Sequence, residues 1–443
     1  MKKQEGLHFY INVKNFNDIV EDEERQGGVN HSIHALDTLF SLTEQYAKTN
    51  YPGSVVIEKI TGARLHLYII AEVAEAFEIA ASIISYSAQV ASFMGSDIAK
   101  YKSLILFELQ AGVSYGKFYE FLFEQDTYEE LTTIGFACNY AAKLQNLASI
   151  NSIAVSENVY NSMDSVEKLS FVRRTNPTIY KYEQRVYYEA RIKQLKTRVD
   201  FNYERKDAVR NYANKRNLTD MQFSSVKRSL SLESLSTVNG RKIEGIPVFA
   251  DVRDFTSQFN SDDSNLTEMA EKTRHLLEKL YATTEKHHGV HVQFQGDREF
   301  ALYHNVENDK CFKDAVLGGM RMIDAVKPYS VHIGVGESFG KMYAVRIGAR
   351  GEKDKLIIGR TVNNADKLED EKAASDQLAI SSEVYEGLKE QDLELAKQFR
   401  LYEPGVYVTN QGFKAYTDQL KYAKQSRETK KHGYNGAWGI DIK

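Results

Sequence analysis

Residues 246–252 read IPVFADV, an apolar strand-like run that closes on Asp251, and Asp254-Phe255-Thr256 follow directly. Near the N-terminus, residues 7–13 read LHFYINV and are followed in the same way by Asn15-Phe16-Asn17. Outward from these two runs the same succession appears twice. Each half continues with an alternating apolar segment that has a glycine at its turn, Val55 to Ile69 around Gly62 and Val290 to Tyr303 around Gly296, which reads as a hairpin. A long amphipathic helix follows, then a strand with a glycine-rich end, QAGVSYGKFY at 110–119 and SVHIGVGESFGKMY at 330–343. The last segment is IGFACNYAAKLQNLASINSIAVSENVY in the first half and IGRTVNNADKLEDEKAASDQLAISSEVY in the second. Four segments in one order point to duplication, and helices mixed with antiparallel-looking strands point to an α+β sandwich in each half.

A chain of 443 residues has room for two such domains. With 57 basic and 61 acidic residues the formal charge is -4, so the overall balance calls for neither nucleic acid nor an anionic membrane. Two cysteines, Cys138 and Cys311, sit in no metal or disulfide spacing, and a reducing cytoplasm is the simplest location for them. The Met-Lys-Lys start is not followed by the apolar stretch of a signal peptide. The longest uncharged run, Ile79 to Met94, is broken by Ser82, Ser85, Ser87 and Gln89, and it reads as a buried helix rather than a membrane span. Between the halves, 186–243 reads as a charged helical connector without a clear apolar stripe. Its Arg191, Lys193, Lys196, Arg198, Arg205 and Lys206 are accounted for more simply by a solvated helix face than by a polyanion site. The domain expectation is therefore 1–185, connector 186–243, 244–410, and a basic tail at 411–443.

The candidate chemistry lies in the second half. Asp251 ends a strand and Asp297 follows Gly296 at a hairpin tip (QFQGDREF), so the two carboxylates can converge. Such a pair suits one or two Mg²⁺ ions beside a triphosphate, and a glycine lets backbone approach phosphate. Taken singly, a Gly-Asp turn or a strand-end aspartate is common.

The succession VFADVRDFT, QFQGDREF, HIGVGESFGKMY, GRTVNNADKLE and AIS resembles the catalytic domain of the class III adenylate and guanylate cyclases, over about Ile246 to Thr409. A weaker version spans Leu7 to about Tyr182. The resemblance implies two such domains packed head to tail as an intramolecular pseudo-dimer. It also implies two interfacial sites, each drawing metal aspartates from one domain and base-reading and transition-state residues from the other. It makes Asp251 and Asp297 ligands of two Mg²⁺ or Mn²⁺ ions, and places Phe255, Thr256 and Gly296 against the substrate. The first half has Asn12 and Ala63 at the metal positions, so it should hold no catalytic metal. By the same resemblance it supplies Lys59 and about Thr132 as base readers, with Asn139 and Lys143 as the transition-state pair. The matching second-half residues are Gln293, about Leu356, Asn363 and Lys367. The intact parts thus fall into one site and the decayed parts into the other, where a regulator could still bind.

Lys143 departs from the family's arginine, and a point charge does not replace a bidentate fork. Arg64 or Lys14 is a candidate helper. A Lys–Thr pair fits an acceptor nitrogen beside an amino group, which favours ATP or CTP over UTP. Tyr51, Tyr68 and Tyr140 stand near the motifs and could exclude a purine, although core packing is the commoner use of a tyrosine. The absence of a sensor or membrane segment resembles the compact pyrimidine cyclases of bacterial antiphage defence. The expectation is a 3′,5′-cyclic pyrimidine messenger, cCMP before cUMP. A cAMP-forming adenylate cyclase and a catalytically dead nucleotide-binding pseudo-cyclase are the alternatives, and further oligomerisation is open. Three features are discounted: His287-His288 reads as an exposed helix end, Cys138 as a packing residue, and Gly334, Gly336 and Gly340 as no dinucleotide fingerprint.

Overall fold

The computed structural model describes residues 1–97, 106–125, 128–180, 183–195, 197, 203–215, 222–226, 231–232, 234–236, 238–259, 263–304, 309–349 and 354–409. The tail at 411–443, Lys196, Arg198 and the side chain of Arg205 lie outside the described residues. The first half runs β1 (Lys2–Val13), α1 (Phe16–Arg25), α2 (Asn30–Asn50), β2 (Val55–Thr61), β3 (Arg64–Ile69), α3 (Val73–Asp97), β4 (Leu109–Gln125), β5 (Tyr128–Ile134), α4 (Phe136–Leu147), β6 (Ser152–Ser156), α5 (Glu157–Ser162), α6 (Ser165–Lys168), β7 (Val172–Tyr180) and β8 (Glu183–Arg191). After α7 (Tyr203–Lys215) and β9 (Gln222–Ser225), the second half runs β10 (Asn239–Val252), α8 (Leu266–Lys286), β11 (Val290–Gln295), β12 (Arg298–His304), α9 (Cys311–Val326), β13 (Ile333–Glu337), β14 (Gly340–Ile347), β15 (Asp354–Ile358), α10 (Arg360–Lys367), β16 (Gln377–Ser381), α11 (Ser382–Gln391), β17 (Phe399–Glu403) and β18 (Val406–Thr409).

The repeat is carried through to topology. One sheet is ordered β2-β3-β1-β4-β6-β8-β7 and the other β11-β12-β10-β13-β16-β18-β17, the same path at equivalent positions. Among the described residues, β4–β6, β13–β16 and β9–β10 pair in parallel and the other pairs are antiparallel. The α+β expectation holds, with two mixed sheets each covered by helices. Alternation in β1 explains the layering: Leu7, Phe9, Ile11 and Val13 are buried in the core shared with α2 and α3, while His8, Tyr10 and Asn12 face the other way. The Ile79–Met94 run lies inside α3, and among the described residues no helix is long and apolar enough to cross a membrane.

The connector is shorter than 186–243. Residues 186–191 belong to β8, and residues 239–243 open β10, with β9 paired beside them. Alternating polar and apolar residues in YYEAR were masked in the sequence by their charge. The helix α7 also has an apolar face after all: Val209 and Ala213, four apart, are buried against the first core. Arg191 donates to Ile150 O at 2.5 Å, a fold contact rather than a free basic site.

The halves grip each other by exchanged hairpins. Phe121, Phe123 and Ile134 of β4 and β5 are buried in the second half's core, with the Phe123 ring 5.0 Å from Tyr281 and 5.1 Å from Phe294. In return Tyr343, Val345, Ile347, Leu356 and Ile358 of β14 and β15 join the first half's core. This reciprocity makes the arrangement a head-to-tail pair within one chain. The second face of each sheet carries its own half's helix, α4 in the first and α10 in the second.

Candidate active site

Asp251 lies one residue from the end of β10, opposite Gly334 of β13, and Asp297 sits in the β11–β12 turn after Gly296. Gly296 has φ +74°, a conformation that disfavours any side chain, so this tight turn depends on it. The two aspartates are electrostatic neighbours. Burial pushes the Asp297 carboxyl well above its ordinary range and the adjacent Asp251 carboxylate pushes it further, with Lys143 opposing. Asp251 is also raised by burial, against the pull of Arg298, Arg253 and Lys143. An all-oxygen pair that repels itself fits Mg²⁺ or Mn²⁺ by donor chemistry, and these two residues would hold it. After Asp254, left-handed at φ 56°, a single turn carries Phe255 and Thr256. The Phe255 ring is buried against Phe259 at 5.1 Å, which leaves the backbone of this turn beside Asp251.

The first half reaches this place through α4, which packs across the interface against the Phe255–Gln258 turn. Lys143 is exposed on α4 and is the first-half cation that acts on both Asp251 and Asp297. Asn139, one helical turn earlier, has a buried Nδ2 without a hydrogen-bond partner among the described residues. Arg64 is placed differently: it bonds Asn146 Oδ1 at 3.4 Å and interacts with Asp366 and Arg298 rather than with the aspartate pair.

Two arginines adjacent to the aspartates brace them. Arg253 donates to Glu369 Oε1 at 2.5 Å, to Glu369 O at 2.6 Å and to Ala373 O at 2.8 Å. Arg298 pairs with Asp366 at 2.6 Å and Glu369 at 2.7 Å, and its guanidinium lies 4.2 Å from the Phe249 ring centroid. Both arginines immediately follow or nearly follow a predicted ligand in sequence. That adjacency was the available signal, and their partners, distant in sequence, were not visible.

Lys59 and Thr132 come together, with Lys59 Nζ donating to Thr132 Oγ1 at 3.0 Å. A third residue joins them that the sequence did not single out. Glu130 pairs with Lys59 and accepts from Phe294 N at 3.0 Å, while Lys59 also donates to Phe294 O at 3.2 Å. Burial would raise Glu130, but Lys59 and His291 outweigh it and hold the carboxyl down at about 2. Tyr51, Tyr68 and Tyr140 belong to packing: Tyr68 is fully buried and donates to Glu120, Tyr140 on α4 is buried against Ala154 and Tyr187, and Tyr51 rests on Tyr46.

At the start of α10, the second-half counterpart of α4, two acids of α1 are bound. Asn363 Nδ2 donates to Glu21 Oε1 at 3.3 Å, and Arg360 N donates to Glu24 Oε2 at 2.8 Å. Acids of α1 thus engage Asn363, the second-half counterpart of Asn139. The discounted features also resolve. His287 caps α8 with His288 exposed beside it, and Cys138 is buried with Tyr68 and Phe118. A Cβ at Gly336 would lie 2.4 Å from Ala365 O, so this glycine serves close helix-on-strand packing.

No protein-family model matches the chain. A uridylate cyclase from Pseudomonas aeruginosa is 23% identical over 159 residues, covering 32% of this chain and 31% of that protein, so the likeness spans about a third of the relative. The crystal structure of a class III adenylyl cyclase-like ATP-binding protein from Pseudomonas aeruginosa superposes with a TM-score of 0.65 at 16% identity, over 87% of this chain and 85% of that one. An adenylyl cyclase structure from the same organism covers 39% of this chain and 96% of its own, at 20% identity and TM-score 0.34. The fold is class III nucleotidyl cyclase-like, with two such domains in one chain.

Proposed function

We propose that the protein is a nucleotidyl cyclase that converts a pyrimidine nucleoside triphosphate to its 3′,5′-cyclic monophosphate and pyrophosphate at one of its two interfacial sites. The observation that carries this reading is the meeting of Asp251 and Asp297 from one half with Lys143 from the other. A divalent ion held by the aspartates would polarise the α-phosphate and favour ionisation of the 3′-hydroxyl. Lys143 offsets charge developing on the phosphoryl oxygens, and the Asn139 amide, whose buried Nδ2 has no partner among the described residues, would orient the ribose or phosphate once substrate enters. The backbone of the Phe255–Thr256 turn receives the outer phosphates. Single-site use is supported by the contrast between Asn139, whose Nδ2 has no hydrogen-bond partner among the described residues, and Asn363, bonded to Glu21.

The pyrimidine preference draws on the uridylate cyclase relative. Between the two pyrimidines, Glu130 alters the expectation drawn from Lys59 and Thr132 alone. An ammonium beside a carboxylate matches a carbonyl next to an N–H, which is the uracil edge, so UTP moves ahead of CTP. A second reading, nucleotide binding without turnover, is favoured by Lys143 in place of an arginine. The test is incubation with Mn²⁺ or Mg²⁺ and each of the four triphosphates: cyclic product, greatest from UTP, is expected, and no cyclic product from any of them leaves only the second reading.

A further inference from the structure

Equivalent positions of the two halves differ most beneath α4 and α10. In β10–β12, Phe249 stacks on Phe300 at 4.4 Å, beside buried Val292 and Ile357, an apolar floor under α10. In β1–β3, Tyr10 stacks on His66 at 4.0 Å in the same register, beside Glu58 and Thr133. His66 Nδ1 pairs with Glu58 at 2.7 Å and His66 Nε2 meets His8 Nδ1 at 3.1 Å. Glu58 also accepts from Thr133 Oγ1 at 2.6 Å and from Thr133 N at 3.1 Å. All four residues, His8, Glu58, His66 and Thr133, are buried.

Burying a carboxylate carries a cost of several kcal/mol that pairing must offset, and apolar packing of similar volume does as well or better. The second half achieves the same fold with the apolar floor, so the fold does not require the polar one. What distinguishes the first half is that α4, not α10, faces the aspartate pair. The bulge in β2 between Ile57 and Lys59 has its counterpart in β11 between His291 and Gln293, so Glu58 and Val292 stand at equivalent points of the two floors. Glu58 grips Thr133 by backbone and side chain, and Thr133 stands just before the Gly135 that opens α4.

We infer that Glu58, buttressed by His66 and His8, is a positioning residue for the working site. It pins the β5–α4 junction and the Tyr10 ring so that Asn139 and Lys143 are held against Asp251 and Asp297. The inference rests on the cyclase reading of that site. Burial alone would raise the Glu58 carboxyl, but His66, Lys59 and Thr133 outweigh it and keep it ionised, down at about 2, as a fixed anchor must be. Tyr10 lies within electrostatic reach of Asp297, which puts the anchored ring on the site side of the sheet.

The test replaces the polar floor with the second half's own residues, Glu58→Val, His66→Phe and Thr133→Ile together, and runs Glu58→Gln in parallel. The expected result is a folded protein with a thermal midpoint no lower than the parent's, KM within about threefold, and kcat down by about tenfold or more, the size expected of a small misplacement of reacting groups. Amide exchange over 133–143 rises while 357–367 is unchanged. Should the triple variant fail to fold, Glu58→Gln gives the same readouts, with a fall in kcat of about threefold or more. A kcat within about twofold of the parent, or unchanged exchange over 133–143, overturns the inference. If the parent itself forms no cyclic nucleotide, the cyclase reading fails, and the exchange measurement decides the positioning role by itself.

Discussion

Asp297 bears the strongest electrostatic conflict of the candidate site, because burial and Asp251 both oppose its ionisation. Its folded pKa is raised, so below the unfolded carboxyl's range there is no penalty. As pH rises past that range the unfolded state gains from ionising and the folded state does not, so stability is lost toward neutral pH. Two outcomes follow at this scale. In metal-free protein, Asp297→Asn raises the thermal midpoint at pH 8 and has little effect near pH 4, and Mn²⁺ raises the parent's midpoint at pH 8 more than at pH 5; calorimetry checks both. Lys143→Ala lowers kcat by about 100-fold, the scale of removing one charge-stabilising donor, and steady-state rates check it. Asp251, Asp297, Asn139 and Lys143 were legible as types at motif spacings, one at a strand end, one after a turn glycine, two on one helix face. Glu58, His66 and Glu130 were not, because a carboxylate in a strand reads as solvent-facing until pairing across strands and across halves shows what it touches.

At the scale of elements, α4 and the β4–β5 hairpin carry the first half's contribution across the interface. Phe123 is buried among Tyr281, Phe294 and His291 of the other half, so Phe123→Ala should destabilise the protein by about 3–5 kcal/mol in denaturant unfolding, as for other buried aromatic truncations. Glu337 tests the second core. It is buried at the end of β13 without a hydrogen-bond partner for either oxygen among the described residues, and burial pushes its carboxyl up to about 8. Stability is therefore lost between the unfolded carboxyl range and about 8, and Glu337→Gln should recover roughly 2–4 kcal/mol at pH 8 and nothing near pH 4. The hairpins, the α3 run and the duplicated order were readable because period and turn glycines repeat. The edges of the connector were not, since β8 and the buried stripe of α7 depend on partners contributed by β6, α2 and α3.

At the scale of the whole molecule, the two interfaces differ in composition. One brings a carboxylate pair to a lysine and to an asparagine whose Nδ2 has no hydrogen-bond partner among the described residues; at the other, Asn363 and Arg360 are bound by Glu21 and Glu24. Isothermal titration with Mn²⁺ and a non-cyclisable triphosphate analogue should therefore give one nucleotide per chain. The head-to-tail order was legible from the repeat together with the family resemblance, whereas the engagement of Asn363 by α1 was not, because Glu21 and Glu24 look like ordinary solvated acids of an amphipathic helix. The most direct measurement is the rate of cyclic nucleotide formation by the parent, Asn139→Ala and Asn363→Ala under identical conditions. One working site built from both halves predicts a loss of about 100-fold for Asn139→Ala and a rate within about threefold of the parent for Asn363→Ala. Equal losses from the two substitutions, or a greater loss from Asn363→Ala, would contradict it.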